Sequence, residues 1–116
     1  MRIEVVTLFP SLVEAGLAAG VLGRAVATGK LEVGLENPRD HAPDVHRTVD
    51  DRPFGGGPGM VLKAEPLAKA IAAARDRLPA GAPVIGLAAH GVPFDQAAAR
   101  RLAGLAGFGL VAGRYE

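Results

Sequence analysis

A chain of 116 residues with 49% hydrophobic and 22% charged residues has the balance of one folded globular domain rather than a disordered segment. A formal net charge of +1 lacks the basic surplus of an electrostatic nucleic-acid binder. The absence of cysteine excludes disulfides, thiolate zinc sites and cysteine nucleophiles, and suits a reducing compartment. The N-terminus carries charges at Arg2 and Glu4 inside its first apolar run, with no secretory cleavage pattern behind it. No apolar stretch reaches the roughly 18 residues that span a bilayer. The expectation is a cytoplasmic protein without a membrane partner.

Taken in order, Arg2 to Phe9 is β-branched and apolar and stops at Pro10, which predicts a buried strand. Ser11 followed by Glu14 predicts a capping box opening a helix through Leu12, Val13, Ala15 and Leu17. Gly20 interrupts it, and a helical turn from Leu22 to Ala27 follows with Gly29 as its C-terminal stop. Leu31 to Glu36 alternates as a strand with one covered face, broken at Asn37-Pro38. From Asn37 to Met60 no period is visible, and loops of that length inside compact domains are usually functional or disordered. Periodicity returns at Glu65-Pro66, with Leu67, Ile71, Ala74 and Leu78 on one helical face. Val84 to Leu87 predicts a short strand. Asp95 predicts the N-cap of a helix running to about Leu105, and Phe108 to Val111 a last strand. Strands alternating with helices predict an α/β domain, a mostly parallel sheet with helices on both faces.

In such sheets ligands sit beyond the carboxyl ends of the strands. Two segments are expected there: Ala88-Ala89-His90-Gly91, and Gly113-Arg114-Tyr115-Glu116 after the last strand. Their small residues let backbone amides approach a ligand, and Tyr115 offers a face for a purine. Turn chemistry alone also accounts for these glycines. Gly55-Gly56-Gly57-Pro58-Gly59 lacks the Gly-Lys-Ser/Thr ending of a phosphate loop, so by itself it suits a hinge or lid. Its neighbour, His46 to Phe54, concentrates acids, bases and hydrogen-bonding groups beside that flat backbone. His41, His46, Asp50 and Asp51 lack the helical spacing of a metal site, so none is expected from spacing. Ser11 is the sole serine and has no nucleophile elbow, which argues against a serine hydrolase. Adjacent carboxylates such as Asp50 and Asp51 usually point apart in a loop, so at most one is expected to act.

Val6-Thr7-Leu8-Phe9-Pro10, Gly23-Arg24-Ala25, Pro38-Arg39-Asp40, the block from His46 to Met60, and Gly113-Arg114-Tyr115-Glu116 together resemble the bacterial tRNA (guanine-N1)-methyltransferase family, along the whole chain and in order. The resemblance implies a SPOUT-class fold with a deep trefoil knot, truncated here before the knot is complete. It also implies methyl transfer from S-adenosylmethionine to N1 of the guanine 3′ of the anticodon, a homodimer with shared active sites, and magnesium as an assisting ion. The partner it implies is the tRNA anticodon stem-loop, not DNA.

Carried over by position, the resemblance assigns Leu87, Ala88, Ala89, His90, Gly91, Gly113, Arg114 and Tyr115 to cofactor binding. It assigns His46, Arg47, Gly55, Gly56, Gly57 and Gly59 to the target nucleotide, and Asp50 and Glu116 to catalysis. The family's general-base aspartate, an assisting arginine and a third cofactor loop fall beyond Glu116, so the 116 residues alone are expected to be inactive. Two departures stand out: Ala88-Ala89-His90-Gly91 replaces the usual Ser-Pro-Gln-Gly, loosening that loop, and Gly86 replaces a larger residue. Two rival classes are a non-catalytic α/β ligand- or RNA-binding module and a nucleotide phosphotransferase using the glycine run. The missing phosphate-loop lysine argues against the latter.

Overall fold

The computed structural model describes residues 1–114. Strand β1 (Arg2–Thr7) is followed by helices α1 (Pro10–Leu17) and α2 (Gly20–Ala27), then β2 (Glu32–Glu36). A 3-10 turn (Pro38–His41) leads to the short strands β3 (Asp50–Asp51) and β4 (Val61–Leu62). Helix α3 (Ala64–Asp76), β5 (Val84–Leu87), α4 (Gln96–Ala103) and β6 (Gly107–Ala112) complete the order. The main sheet runs β2-β1-β6-β5 with every pair parallel, as the strand–helix alternation predicts. No described helix is long and apolar enough to cross a membrane.

The two faces of the sheet differ. Alternate residues of a strand point to opposite sides, so Glu4 and Val6 share one face and Ile3 and Val5 the other. Helix α3 covers the first: Ala70 and Ala74 pack on Val6, with Leu67, Ile71 and Val111 around them. Leu67, Ile71 and Ala74 are the positions its period predicts; Ala70 joins them, and Leu78 lies past the end of the helix at Asp76. On the second face Ile85, Phe108 and Leu110 line a hollow that Leu102 of α4 also borders.

Three local expectations are corrected. The capping box at Ser11 does not form: α1 begins at Pro10, its N-cap is Phe9, and no side chain caps it. Proline's fixed φ suits the first helical position, which draws Ser11 inside the helix. The Phe9 N–H is instead taken by Thr7 Oγ1 at 3.0 Å. Second, the Asn37–Met60 stretch is ordered. Asn37 Oδ1 accepts the Arg39 N–H at 3.0 Å to start the 3-10 turn, and β3 pairs antiparallel with β4. Two-residue strands carry no readable period, so their pairing was invisible in the sequence. Third, α4 stops at Ala103 rather than Leu105. Its N-cap is the expected one, with Asp95 Oδ1 accepting the Ala98 N–H at 2.8 Å.

A buried ion network ties sheet to helix. Glu4 is fully buried, and Arg2 reaches its Oε1 at 3.2 Å while Arg77, at the end of α3, bonds the same oxygen. Arg77 also bonds Glu36 Oε2 at 2.7 Å, and His41 Nε2 lies 2.5 Å from Glu36 Oε1. Gly34 makes room for this: a Cβ there would fall 1.7 Å from Glu4 Oε2. Burial pushes the Glu36 carboxyl upward, but hydrogen bonds from Arg77 and His41 outweigh it and hold it below the ordinary glutamate range. The same bonds, from Glu36 first and Glu4 second, raise the Arg77 guanidinium.

Two outcomes are expected. Gly34→Ala must displace a carboxylate with no exposed space to move into, and should cost about 3 kcal/mol or more in urea unfolding, the scale of breaking a buried pair. A carboxyl depressed in the folded state stabilises above its unfolded pKa, and that stabilisation is lost as pH falls through the lower folded value. Stability should therefore decline as pH drops below about 4.5, and Glu36→Gln should flatten that acid limb; an unchanged acid limb would contradict the pairing.

Candidate functional site

Register sets the site. Thr7 pairs with Ala112, and Leu87 with the same Ala112, so the carboxyl ends of β1, β6 and β5 lie level and side by side. The chain leaves β1 toward β2 on one side and returns through β5 and β6 on the other. The reversal of strand order thus falls between β1 and β6, where open α/β sheets place their ligands. At that point the Arg114 guanidinium stands over the Phe9 ring, 5.6 Å from its centroid.

A cavity of about 860 Å³ lies on the sheet face opposite α3. Leu87, Ala88, Ala89 and Gly91 border it, together with Val92 and Phe94. The loop folds as a turn, the Gly91 N–H donating to the Ala88 carbonyl at 3.1 Å. Leu87, Val92 and Phe94 are exposed, an apolar surface larger than isolated side chains would leave. Its volume falls within the usual range for small-molecule sites. His90 is exposed and does not border the cavity.

The short hairpin supplies an acidic group next to these tips. Asp50 pairs with Leu62, so their side chains share one hairpin face. Leu62 Cδ2 lies 3.7 Å from where a Cβ on Gly113 would be, which puts that face against the tip of β6. The hairpin is anchored by the Lys63 N–H donating to the carbonyl of fully buried Val49 at 2.7 Å. Asp51 faces the other way, as expected for neighbouring carboxylates.

The remaining predicted residues are distributed as follows. Gly55, Gly56, Gly57 and Gly59 form the outer turn of the hairpin, all with positive φ and with open space around each. Non-glycine residues are strained there, so the run shapes the backbone and has open space around it. His46 is exposed. Arg47, at φ 52°, pairs with Asp40 and donates from Nε to the Arg39 carbonyl at 3.2 Å. Asp44 accepts from both the Thr48 hydroxyl and the Thr48 N–H, bonds that lower its carboxyl pKa and close the start of the loop. Tyr115 and Glu116 lie outside the described residues. Two contributors escaped the sequence reading, Phe9 and Leu62. Phe9 follows the carboxyl end of β1 as the N-cap of α1, and its place just before Pro10 is the signal that would have found it; Leu62 has none.

A family profile described as tRNA (Guanine-1)-methyltransferase TrmD matches residues 1–116. The chain belongs to this family. A tRNA (guanine-N(1)-)-methyltransferase of Methylococcus capsulatus is 54% identical over 116 residues, covering all of this chain and 46% of the relative. That of Alcanivorax borkumensis is 57% identical over 114 residues, covering 98% of this chain and 43% of the relative. The crystal structure of tRNA (m1G37) methyltransferase from Aquifex aeolicus superposes with a TM-score of 0.87 at 32% identity, over all of this chain and 52% of that one. The chain thus spans about half the length of the methyltransferases it matches.

Proposed function

We propose that the full-length protein transfers a methyl group from S-adenosylmethionine to N1 of the guanine 3′ of the tRNA anticodon, and that these 116 residues hold much of its donor pocket. The observation that carries the reading is the meeting of three things at one sheet edge: the β5 loop and its cavity, the β6 tip at Gly113, and the Asp50 face of the hairpin. S-adenosylmethionine, when bound, supplies an electrophilic methyl on a sulfonium. The residues present suit it. The walls are apolar, the volume of about 860 Å³ accommodates a nucleoside with its side chain, and the Leu87–Gly91 backbone is accessible for hydrogen bonds.

The chain's own groups then have defined tasks. Leu87, Ala88, Ala89 and Gly91 enclose the donor and exclude water from it. His90 reaches it only through its backbone. Gly113 and Arg114 serve the adjacent side, with Arg114 steadied by Phe9, and Tyr115 is assigned to the donor by its family position. Asp50, an acceptor when ionised, suits the N–H donors on the edge of guanine, and holding that edge fixes N1 in line with the methyl, a positioning task worth large rate factors. His46, Arg47 and the Gly55–Gly59 turn serve the surrounding nucleotide. Glu116 is assigned to catalysis with Asp50. The proton on N1 must leave as the methyl arrives, and the base that takes it belongs to the part of the family beyond residue 116. Magnesium finds no group of three His, Asp or Glu side chains among the described residues. We include in the proposal a homodimer with shared sites, since the cavity is open on one side, and a cytoplasmic location, where tRNA is found.

The decisive experiment is methyl transfer by the full-length gene product to two tRNA transcripts, one with guanine and one with adenine beside the anticodon. Transfer to the first alone is expected; transfer to neither would reject the reading. Asp50→Ala should lower turnover by roughly tenfold or more with little change in donor affinity. Abolished donor binding with intact turnover at saturation would place the hairpin elsewhere. Arg114→Ala should weaken donor binding about two- to fivefold, the size of the ~0.5–1 kcal/mol exposed cation–π contact it removes. Calorimetry showing the same affinity would remove the β6 tip from the pocket.

A further inference from the structure

The 3-10 turn at Pro38–His41 reaches in two directions. Its start is fixed by Pro38, fully buried where the turn packs against α3. Its end is fixed by His41, whose Nε2 lies 2.5 Å from Glu36 Oε1 at the end of β2. Despite its burial, bonds from Arg77 and His41 keep Glu36 ionised. A carboxylate can only accept, so the His41 Nε2 is the donor. The turn's other polar side chains, Arg39 and Asp40, point forward into the loop.

There they form a strap. Arg39 donates from Nη1 to the Arg47 carbonyl at 3.1 Å, and Arg47 returns a bond from Nε to the Arg39 carbonyl at 3.2 Å. Asp40 pairs with the Arg47 guanidinium. The next link is Asp44, which accepts the Thr48 N–H at 2.9 Å and the Thr48 hydroxyl at 2.5 Å. Thr48 leads through buried Val49 into Asp50. Pro43, Asp44, Val45, His46 and Arg47 are all exposed, Val45 at 91%. No apolar burial holds this stretch, so its position depends on directional side-chain bonds. The Lys63 N–H on the Val49 carbonyl fixes one side of the hairpin's base, and the strap fixes the other.

We propose that His41 is a positioning residue for the methyl transfer: by holding the end of the 3-10 turn to Glu36 it sets, through the strap, where Asp50 stands beside the strand tips. The inference rests on the proposed function, in which Asp50 holds the edge of guanine. It adds to that function a residue that touches neither donor nor nucleotide. The turn pivots on Pro38, and His41 sits at the far end of that lever. Without its bond the turn swings, and Arg39 and Asp40 carry the Arg47 segment with them. A misplacement of about 1 Å costs a factor of about 10² in rate where a reaction depends on alignment. Donor binding does not share this path, since the donor loops follow β5 and β6.

The test uses the full-length protein and a tRNA transcript. His41→Leu keeps bulk but has no donor, whereas the amide N–H of His41→Gln can take the place of Nε2. His41→Leu should lower turnover at saturating donor and tRNA by roughly tenfold, with donor affinity by calorimetry unchanged. His41→Gln should recover most of that loss. Added to Asp50→Ala, His41→Leu should lower turnover no further, because two residues on one path are not additive. Hydrogen exchange gives a readout apart from activity. In His41→Leu the Thr48 and Lys63 amides should exchange faster, while those of β1 and β6 stay as protected as in wild type, showing an intact sheet. Wild-type turnover in His41→Leu would overturn the inference and leave the methyltransferase reading intact. So would an equal further loss in the Asp50→Ala background, or no recovery in His41→Gln. A wild-type protein that methylates no tRNA would reject the proposed function itself, and exchange at Thr48 would still report whether His41 holds the loop.

Discussion

A charged carboxylate within a sheet is tolerable only when its partners are already in place, and Glu4 sets that requirement at the centre of this molecule. It lies fully buried on β1, the strand paired to both β2 and β6. Arg2 approaches it from its own strand and Arg77 from the end of α3. Arg77 also spans to Glu36, which holds His41 at the end of the 3-10 turn. One network therefore joins β1, β2, α3 and the entrance of the long loop. Removing one member would leave a buried charge uncompensated, which costs far more than the pair contributes when intact. The glycine at position 34 belongs to the same device, since the space a side chain would fill is taken by the carboxylate.

That anchoring matters because the proposed chemistry takes place at strand tips and on a loop, and both need a fixed base. The register of β1, β6 and β5 brings three carboxyl ends to one level. The hairpin at residues 50–62 is small, yet it is tied at Val49 to the start of α3 and rests on Gly113 through Leu62. Rigid elements thus hold Asp50 beside the strand tips, while the glycine turn at the hairpin's outer end stays free of packing. A positioning mechanism calls for this division, with a firm acidic face and an adaptable backbone beyond it.

The cavity on the second sheet face is open and lined by apolar side chains. The chain matches about half of each methyltransferase with which it aligns. Apolar side chains such as Leu87, Val92 and Phe94 are exposed around that cavity. In the proposed full-length dimer, further chain and a second copy would cover them.

Much of this was legible in the sequence. Alternating strands and helices with clear periods specified the parallel α/β class, the face of α3 and the cap at Asp95, because hydrophobic periodicity and capping are local. The uninterrupted block from His46 to Met60 carried the family resemblance, and with it the candidate site residues. Proline at position 10 misled the reading of Ser11, since two local helix-start signals competed and only one could hold the first turn. What tertiary structure alone decided was contact between distant segments: the strand order that levels three tips, the Arg77–Glu4–Glu36 network, Leu62 against Gly113, and the two faces of the hairpin. Two-residue strands and ion pairs between residues 73 positions apart leave no period in a sequence, because their partners are chosen by the packed sheet and not by their neighbours along the chain.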